Sequence, residues 1–586
     1  MFISSHSIFL SNFVSPLDIA NERLPTDRIR ALQSFRQLLS TEESSLAALE
    51  QNADRRLSWQ LSYELQSRHI NTSLIAMLCD CLQALWKQVP ARRRFESFTK
   101  LVDFLPWFLY VWKLFPHQPL ILEPLLEIFR LQSKVKETAW KTRLIRSTDL
   151  VMYIRQALID LSCVGPLFTT ILGLVKDLSF KASDPDKEYL CHELQSVLLD
   201  QHTSMSLAAA EATSAIVWNW VAHPRLGRAL VRQESIWRLL QHFGERFQPV
   251  TKDSIMIHRH VASIVGTMLT SCIASSSVQA NADDGTLPPP IVLQQSWLVT
   301  RLLDTLQQET DSDLRRRCMR IVRCLVSEEW GRTFLVQGKQ QTTANHAVDI
   351  PHESGDRNIE LIQLLITVLS NANDDPDTRS QACQAITALL PWVTRDLWLQ
   401  VAPALETILT QTIEHSDTTD KLLLAACHTL QVSISHRRID QGAGSCLAAH
   451  SFSRNLFARI FSTLQCHVDD PQFHIRISSL FLLLASCGGD KNENHSRTAH
   501  EMSATMLQEP VLDALSILLT PVGPDYEKSR SNTVNIILTL LKNDRNKKLL
   551  AENEKLLTAL VNFCLMNSGK QKDEVKQVIL MLVPEL

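Results

Sequence analysis

Three ten-residue stretches constrain this chain more than any other feature. WGRTFLVQGK fills residues 330–339, LGRALVRQES fills 226–235 and RNKKLLAENE fills 545–554. They align without a gap. Gly227, Gly331 and Asn546 share one place, and Arg228, Arg332 and Lys547 share the next. A paired apolar step follows: Leu230-Val231, Phe334-Leu335 and Leu549-Leu550. A small-residue helix precedes each copy, as EATSAIVWNW (211–220), RRCMRIVRCL (316–325) and SNTVNIILTL (531–540). A chain that repeats one corner stacks copies of one unit, because a helix pair cannot bury its apolar face alone.

The small residue that opens each helix recurs at Ala212, Val261, Cys318, Ala382, Ala426, Ser478 and Thr533. The spacing is about fifty residues, slightly above the roughly 40–47 of two- and three-helix repeats. The surplus falls where turn-forming and polar residues gather, at 275–290, 339–357, 435–445 and 487–496, which are expected to be loop insertions. At 586 residues the chain exceeds what one hydrophobic core supports, and repetition resolves the excess. Long Leu- and Ala-rich periodic runs and only 15 glycines predict an all-α chain.

On these residues the chain resembles the armadillo/HEAT superfamily. CMRIVRCLVSEEWGRTFLVQGK (318–339) is similar to the end of an armadillo repeat, with a small-residue third helix, a polar turn and a Leu-Val step. ATSAIVWNWVAHPRLGRALVRQESIWRLLQHF (212–243) and NTVNIILTLLKNDRNKKLLAENEKLLTALVNF (532–563) resemble it too. The resemblance implies a right-handed α-solenoid, with armadillo-like repeats over 201–586. Residues 31–200 are expected to form divergent HEAT-like pairs, after an irregular N-terminal segment, 1–30. In armadillo proteins the third helix of each unit lines the concave surface. Nuclear-import members carry a Trp there and, four residues on, an Asn. Here the Trp places hold Ser214, Ser263, Arg320, Gln384, His428, Leu480 and Asn535, and the Asn places hold Trp218, Thr267, Cys324, Ala388, Val432, Leu484 and Thr539. The clamp for extended basic peptides is missing, which argues against import-receptor activity.

Chemistry is sparse. There is no HExxH, GxSxG, P-loop or CxxC pair, and no cofactor or metal is expected. Cys79 and Cys81 lack a second pair and read as buried thiols. His258 and His260, two residues apart, fall on different helix faces. NDDPD (373–377) reads as a capping turn rather than a calcium loop. QGAGS (441–445) lacks the glycine spacing of a phosphate cradle, and Arg92, Arg93 and Arg94 read as a solvated cluster. The aromatic run 104–116 reads as core, although exposed it would be a docking patch. Neither that run nor 161–175 reaches the roughly 20 apolar residues of a membrane span. Thirteen cysteines, mostly inside apolar runs, and the lack of a leader pattern point to the cytoplasm or nucleus.

The best functional lead is SDLRRRCMRIVRCL (312–325). Arg316, Arg320 and Arg323 recur at four and three and share one helix face. A solvated face explains that pattern, and a groove for a protein partner with an acidic segment is the functional alternative. Direct nucleic-acid contact has the least support, since net charge is −3 and no second basic run interleaves with aromatics. The reading is a non-catalytic protein-interaction scaffold or adaptor. The alternative is a helical-repeat subunit, or an exchange or regulatory factor, of a larger complex, including a nucleic-acid-processing one. Partner identity and oligomeric state are not legible.

Overall fold

Capping residues start the helices where the periodic runs begin. Asp311 accepts from the Leu314 amide at 2.8 Å and opens Ser312–Ser327. Asp375 accepts from Asp377 and Thr378 and opens Pro376–Leu389, so the NDDPD stretch is the capping turn expected of it. Ser206 caps Leu207–Val221, and His223 caps Pro224–Leu230, with proline in the first turn where its missing donor costs nothing.

The computed structural model describes residues 25–67, 69–88, 104–133, 138–200, 205–248, 250–278, 292, 295–308, 311–335, 354–392, 395–410, 417–439, 460–461, 463–487, 506–566 and 570–585. These are helices and their connections, with no strand among the described residues. The chain divides into two units, Met1–Val292 and Leu293–Leu586.

In the first unit one helix of each repeat packs on the next to form a ladder. Its rungs are α1 (Pro25–Leu38), α2 (Thr72–Gln88), α3 (Pro119–Ser133), α4 (Pro166–Ser179), α5 (Leu207–Val221) and α6 (Ile255–Val278). A second layer, Thr148–Asp160, Asp184–Asp200 and Glu234–Arg246, stacks in the same order. The second unit repeats the plan with α7 (Ser312–Ser327), α8 (Pro376–Leu389), α9 (Asp417–Ile439), α10 (Pro471–Cys487), α11 (Glu527–Leu541) and α12 (Lys570–Leu582). Ser296–Gln308, Ser354–Ser370 and Arg395–Thr410 form its second layer. The same two-layer stacking runs across residue 200. Of the N-terminal segment 1–30, residues 25–30 are the start of α1 and 1–24 lie outside the described residues. Helices extend into the expected insertions as far as Val278 and Ile439, from Ser354 and to Cys487; the remainder of 275–290, 339–357, 435–445 and 487–496 lies outside the described residues.

All seven small positions are buried, from Ala212 through Val261, Cys318, Ala382, Ala426 and Ser478 to Thr533. They sit on the ladder helices, where a small side chain lets rungs approach. Large apolar residues on the same helices, such as Ile321, Val322 and Leu325, fill the space between layers and each contribute about 1.5–3 kcal/mol of burial.

The repeated corner lies within a short helix rather than at a helix end. Gly227 and Gly331 lie inside the short helices that follow the ladder helix, at Pro224–Leu230 and 329–335. Each faces a carbonyl six residues back. A Cβ on Gly227 would stand 2.9 Å from the Val221 oxygen, and one on Gly331 would overlap the Leu325 oxygen. In the third copy Asn546 donates its side-chain amide to the Leu540 oxygen at 2.9 Å. Helix C-termini leave carbonyls unsatisfied. Glycine lets the next backbone close over one, and asparagine fills the same room with a donor. The basic neighbours share a place but no role. Arg332 donates to the Val326 oxygen, Arg228 to Pro224 in its own helix, and Lys547 pairs with Asp544.

A second recurrent device lies three residues before the small position. Arg315 donates to the Leu306 oxygen at 2.6 Å, Arg379 to Leu369 at 2.9 Å and Arg530 to Gly523 at 3.0 Å. His258 Nε2 donates to the Phe247 oxygen at 3.1 Å. Each is the fourth residue of its ladder helix, is buried, and reaches the end of the preceding second-layer helix or the residues just beyond it. A long basic side chain there satisfies orphan carbonyls and complements the negative helix terminus.

Candidate functional site

Helix α7 buries Leu314, Cys318, Ile321, Val322 and Leu325, the apolar positions expected, together with Met319 and Val326. Its other side carries the arginines. Arg316 is exposed and paired with Asp313, which also takes Arg317 Nε at 3.0 Å. Partial burial alone would raise the Asp313 carboxyl, but the hydrogen bonds and charges of Arg316 and Arg317 outweigh it and hold the group below the ordinary carboxylate range. Arg323 is half-buried and donates to Gln384 Oε1 on α8 at 2.7 Å. Arg320 is exposed and has no hydrogen-bonding or ionic partner among the described residues. The three share a face, but their charges are not equally available.

Polar contacts join the next rungs. Thr387 on α8 lies 2.8 Å from Thr429 on α9, and Arg476 on α10 donates to His428 Nδ1 on α9 at 2.9 Å. Asn532 on α11 donates to Ser478 and Ser479 on α10, and Asn535 is exposed one turn further on. Beyond the first turn of each helix, α7 to α11 contain no Asp or Glu at all. Past those first turns the face therefore offers cations, amides and hydroxyls to a ligand, and the Asp313 carboxylate at its start is taken up by Arg316 and Arg317.

The sequence alignment misplaced part of this face. Leu480 and Leu484, placed in the groove series, are buried, as is Ser214. On α10 Gln472 and Arg476 are exposed and Ser479 and Leu483 partly so, which shifts the outward register of that helix by one. Period alone does not locate the solvent side when most of a helix is apolar, as in ISSLFLLLA. In the first unit Trp218 stands 37% exposed, its ring stacked on His260 at 5.5 Å.

The remaining sequence candidates resolve as packing. Cys79 and Cys81 are both buried; burial pushes the Cys81 thiol up to about 12, with Asp80 adding to the shift, and moves Cys79 in the same direction. His258 serves the carbonyl described above, while His260 Nδ1 meets Ser214 Oγ at 2.9 Å, so the two have separate partners. Phe108 and Trp112 are core, and Tyr110 and Leu114 are exposed large apolar members of the aromatic run. QGAGS (441–445) and Arg92–Arg94 lie outside the described residues. Among the described residues no group of three His, Cys, Asp or Glu is placed to hold a metal ion, and no helix is long and apolar enough to cross a membrane.

One rung is pH-sensitive. A guanidinium only donates, so His428 Nδ1 must be unprotonated to accept from Arg476. Burial, then the Arg476 charge, hold the ring below the ordinary histidine value, against a weaker upward push from a Gln431 hydrogen bond. The ring stays neutral in the folded chain at pH values where the unfolded chain takes up a proton. Stability is therefore unaffected well above the unfolded value of about 6.5. It declines as pH falls through that value and levels off below the folded one. Urea unfolding between about pH 7 and pH 5 should show a shallower loss for His428→Gln than for wild type. Identical slopes would mean that the ring does not titrate differently in the two states.

No family model matches the chain, and no curated protein matches it. Among solved structures it is similar to a chain from work on a phosphorylation switch that controls the interaction between cadherin and beta-catenin. Identity is 11%, with 97% of this chain and 100% of that chain covered and a TM-score of 0.51. It is also similar to importin beta in an ammonium sulfate condition, at 12% identity, 98% and 73% coverage and a TM-score of 0.41, a score from which nothing is drawn. With the helix stacking above, the first likeness shows the fold, an all-α solenoid of stacked helices.

Proposed function

We propose that this armadillo/HEAT-type solenoid is a non-catalytic scaffold or adaptor in the cytosol or nucleus. It binds a protein partner along the exposed face of α7 to α11, and the partner presents an acidic segment there. One observation carries this reading. After their first turns, five consecutive ladder helices have no carboxylate, while Arg320 stands exposed with no partner among the described residues. Arg316 and Arg323 flank it. A guanidinium forks onto a carboxylate, and the amides of Gln384 and Asn535 suit a peptide backbone.

The geometry ranks the arginines. Arg320 has no partner to give up among the described residues, Arg316 must share with Asp313, and Arg323 must loosen its bond to Gln384. An exposed ion pair contributes only about 0.2–1 kcal/mol, so Arg320→Ala will be near the limit of detection. Arg316→Glu/Arg320→Glu/Arg323→Glu adds repulsion to three lost contacts and should weaken binding about ten-fold or more at low salt. The measurement is fluorescence anisotropy of a labelled Asp- and Glu-rich peptide, beside neutral and Lys-rich ones, at two salt concentrations. Preference for the acidic peptide, lost in the triple variant and reduced by salt, is the expected result. Equal affinity of wild type and a folded triple variant at low salt would remove this face from the binding site.

A further inference from the structure

The helix Ala53–Gln66 in the first unit carries a surface of a different kind. Its inner side is core, with Leu57, Leu61 and Leu65 buried. Its outward arc is Asn52, Arg55, Arg56, Trp59, Tyr63 and Gln66, all exposed. Trp59 and Tyr63 are each 60% exposed, more than any other tryptophan or tyrosine whose side chain the structure describes. Their rings stack on each other at 5.8 Å with planes 20° apart. The helix's two carboxylates, Asp54 and Glu64, are buried, and Glu64 is paired with Arg28. Helical spacing of four places Arg55, Trp59 and Tyr63 in one row. The arc thus joins a preformed aromatic step to two cations without an acid.

We infer that this arc is a second docking site, for an acidic amphipathic segment of a protein partner. Trp, Tyr and Arg are the residues that dominate protein–protein hot spots, because a rigid ring or fork gains contact at little entropic cost. The stacked pair offers a flat apolar step for one aromatic or aliphatic anchor, and Arg55 and Arg56 face the carboxylates beside it. Surroundings select a short segment over an extended anionic surface. The helix Glu42–Glu50, packed beside this one, exposes Glu42, Glu43 and Glu50. These would repel a phosphate-lined membrane or a nucleic-acid strand, whereas a peptide confined to the arc avoids them. The site is independent of α7, since no residue is shared.

Selection of displayed random peptides on the full-length chain, with counter-selection on a Trp59→Ala/Tyr63→Ala variant, tests this. The expected peptides combine Asp or Glu with an aromatic or aliphatic anchor. They bind wild type at least about ten-fold more tightly than the double variant. Arg55→Glu/Arg56→Glu weakens them similarly, with affinity falling as salt rises. Trp59→Phe/Tyr63→Phe retains most of the affinity, and the triple arginine variant on α7 leaves it unchanged. Thermal unfolding of each variant should match wild type, because Leu57, Leu61 and Leu65 are untouched. Recovered peptides that bind the Ala double variant as well as wild type would overturn the inference, as would a consensus lacking acids. A loss, in that variant, of binding to phosphatidylserine vesicles or to oligothymidylate would replace the peptide with a membrane or a nucleic-acid strand.

Discussion

Replacing Asp374 with alanine is expected to cost about 3–5 kcal/mol of stability, the largest effect of any single charge removal in the Leu293–Leu586 unit. Asp374 sits in the turn before α8 and accepts from Arg315 twice, from Nε at 2.8 Å and Nη2 at 2.7 Å. Both side chains are nearly buried, at 10% and 7% exposure. Nη1 of Arg315 holds the Leu306 carbonyl, so the guanidinium cannot swing to water without orphaning that oxygen. Alanine leaves the cation desolvated and half-paired, and the penalty comes from that stranded charge more than from the lost attraction. Asp374→Asn, which keeps one acceptor, should cost less. Replacing both partners with leucine should recover much of the loss, because neither member of the pair is then left as a stranded charge. The measurement is amide exchange of α7 and α8 in the full-length variants, beside urea unfolding. Protection of those helices unchanged in Asp374→Ala would mean that the pair contributes nothing net.

The second large effect is expected at the repeated corner, as a graded series. Gly331→Ala places a methyl onto the Leu325 oxygen, a backbone atom that moves only if α7 or the helix 329–335 moves with it. Overpacking of that kind typically costs about 1–3 kcal/mol, and here the upper end is expected. Gly227→Ala meets the Val221 oxygen at 2.9 Å and should cost less. Asn546→Ala removes the buried donor to the Leu540 oxygen and should cost about 1–3 kcal/mol through the unsatisfied carbonyl instead. Asn546→Gly, which restores the residue of the other two copies, should be milder than Asn546→Ala. Melting temperatures of the four variants decide the matter. If Gly331→Ala were no worse than Gly227→Ala, carbonyl closeness would not be what the corner conserves among its copies.

The arginine face was half legible. The four-and-three spacing of Arg316, Arg320 and Arg323 places them together on α7 from local geometry alone. The sequence could not tell that Asp313 occupies Arg316 and that Gln384, about sixty residues away, occupies Arg323. Those are accidents of one helix meeting another. Trp59 and Tyr63 are not legible as a surface pair in the sequence, because a pair four apart on an amphipathic helix has the same spacing whether it faces core or solvent.

What the sequence determined by itself follows from local periodicity. Helices, their caps at Asp311 and Asp375, the apolar side of α7, and the small positions from Ala212 to Thr533 all depend on residues within a few turns of one another. The recurrence of the ten-residue corner was enough to require stacking, since one copy cannot bury its own apolar face. The tertiary structure decided everything that depends on which carbonyl or charge a neighbouring helix presents. The corner glycine serves close approach to a carbonyl six residues back. The basic residue three places before four of the seven small positions, His258, Arg315, Arg379 and Arg530, had no meaning until the end of the preceding helix lay within reach. Periodicity gives each helix a dry side. A hydrogen bond needs a partner within about 3 Å, and only the packed chain supplies its position.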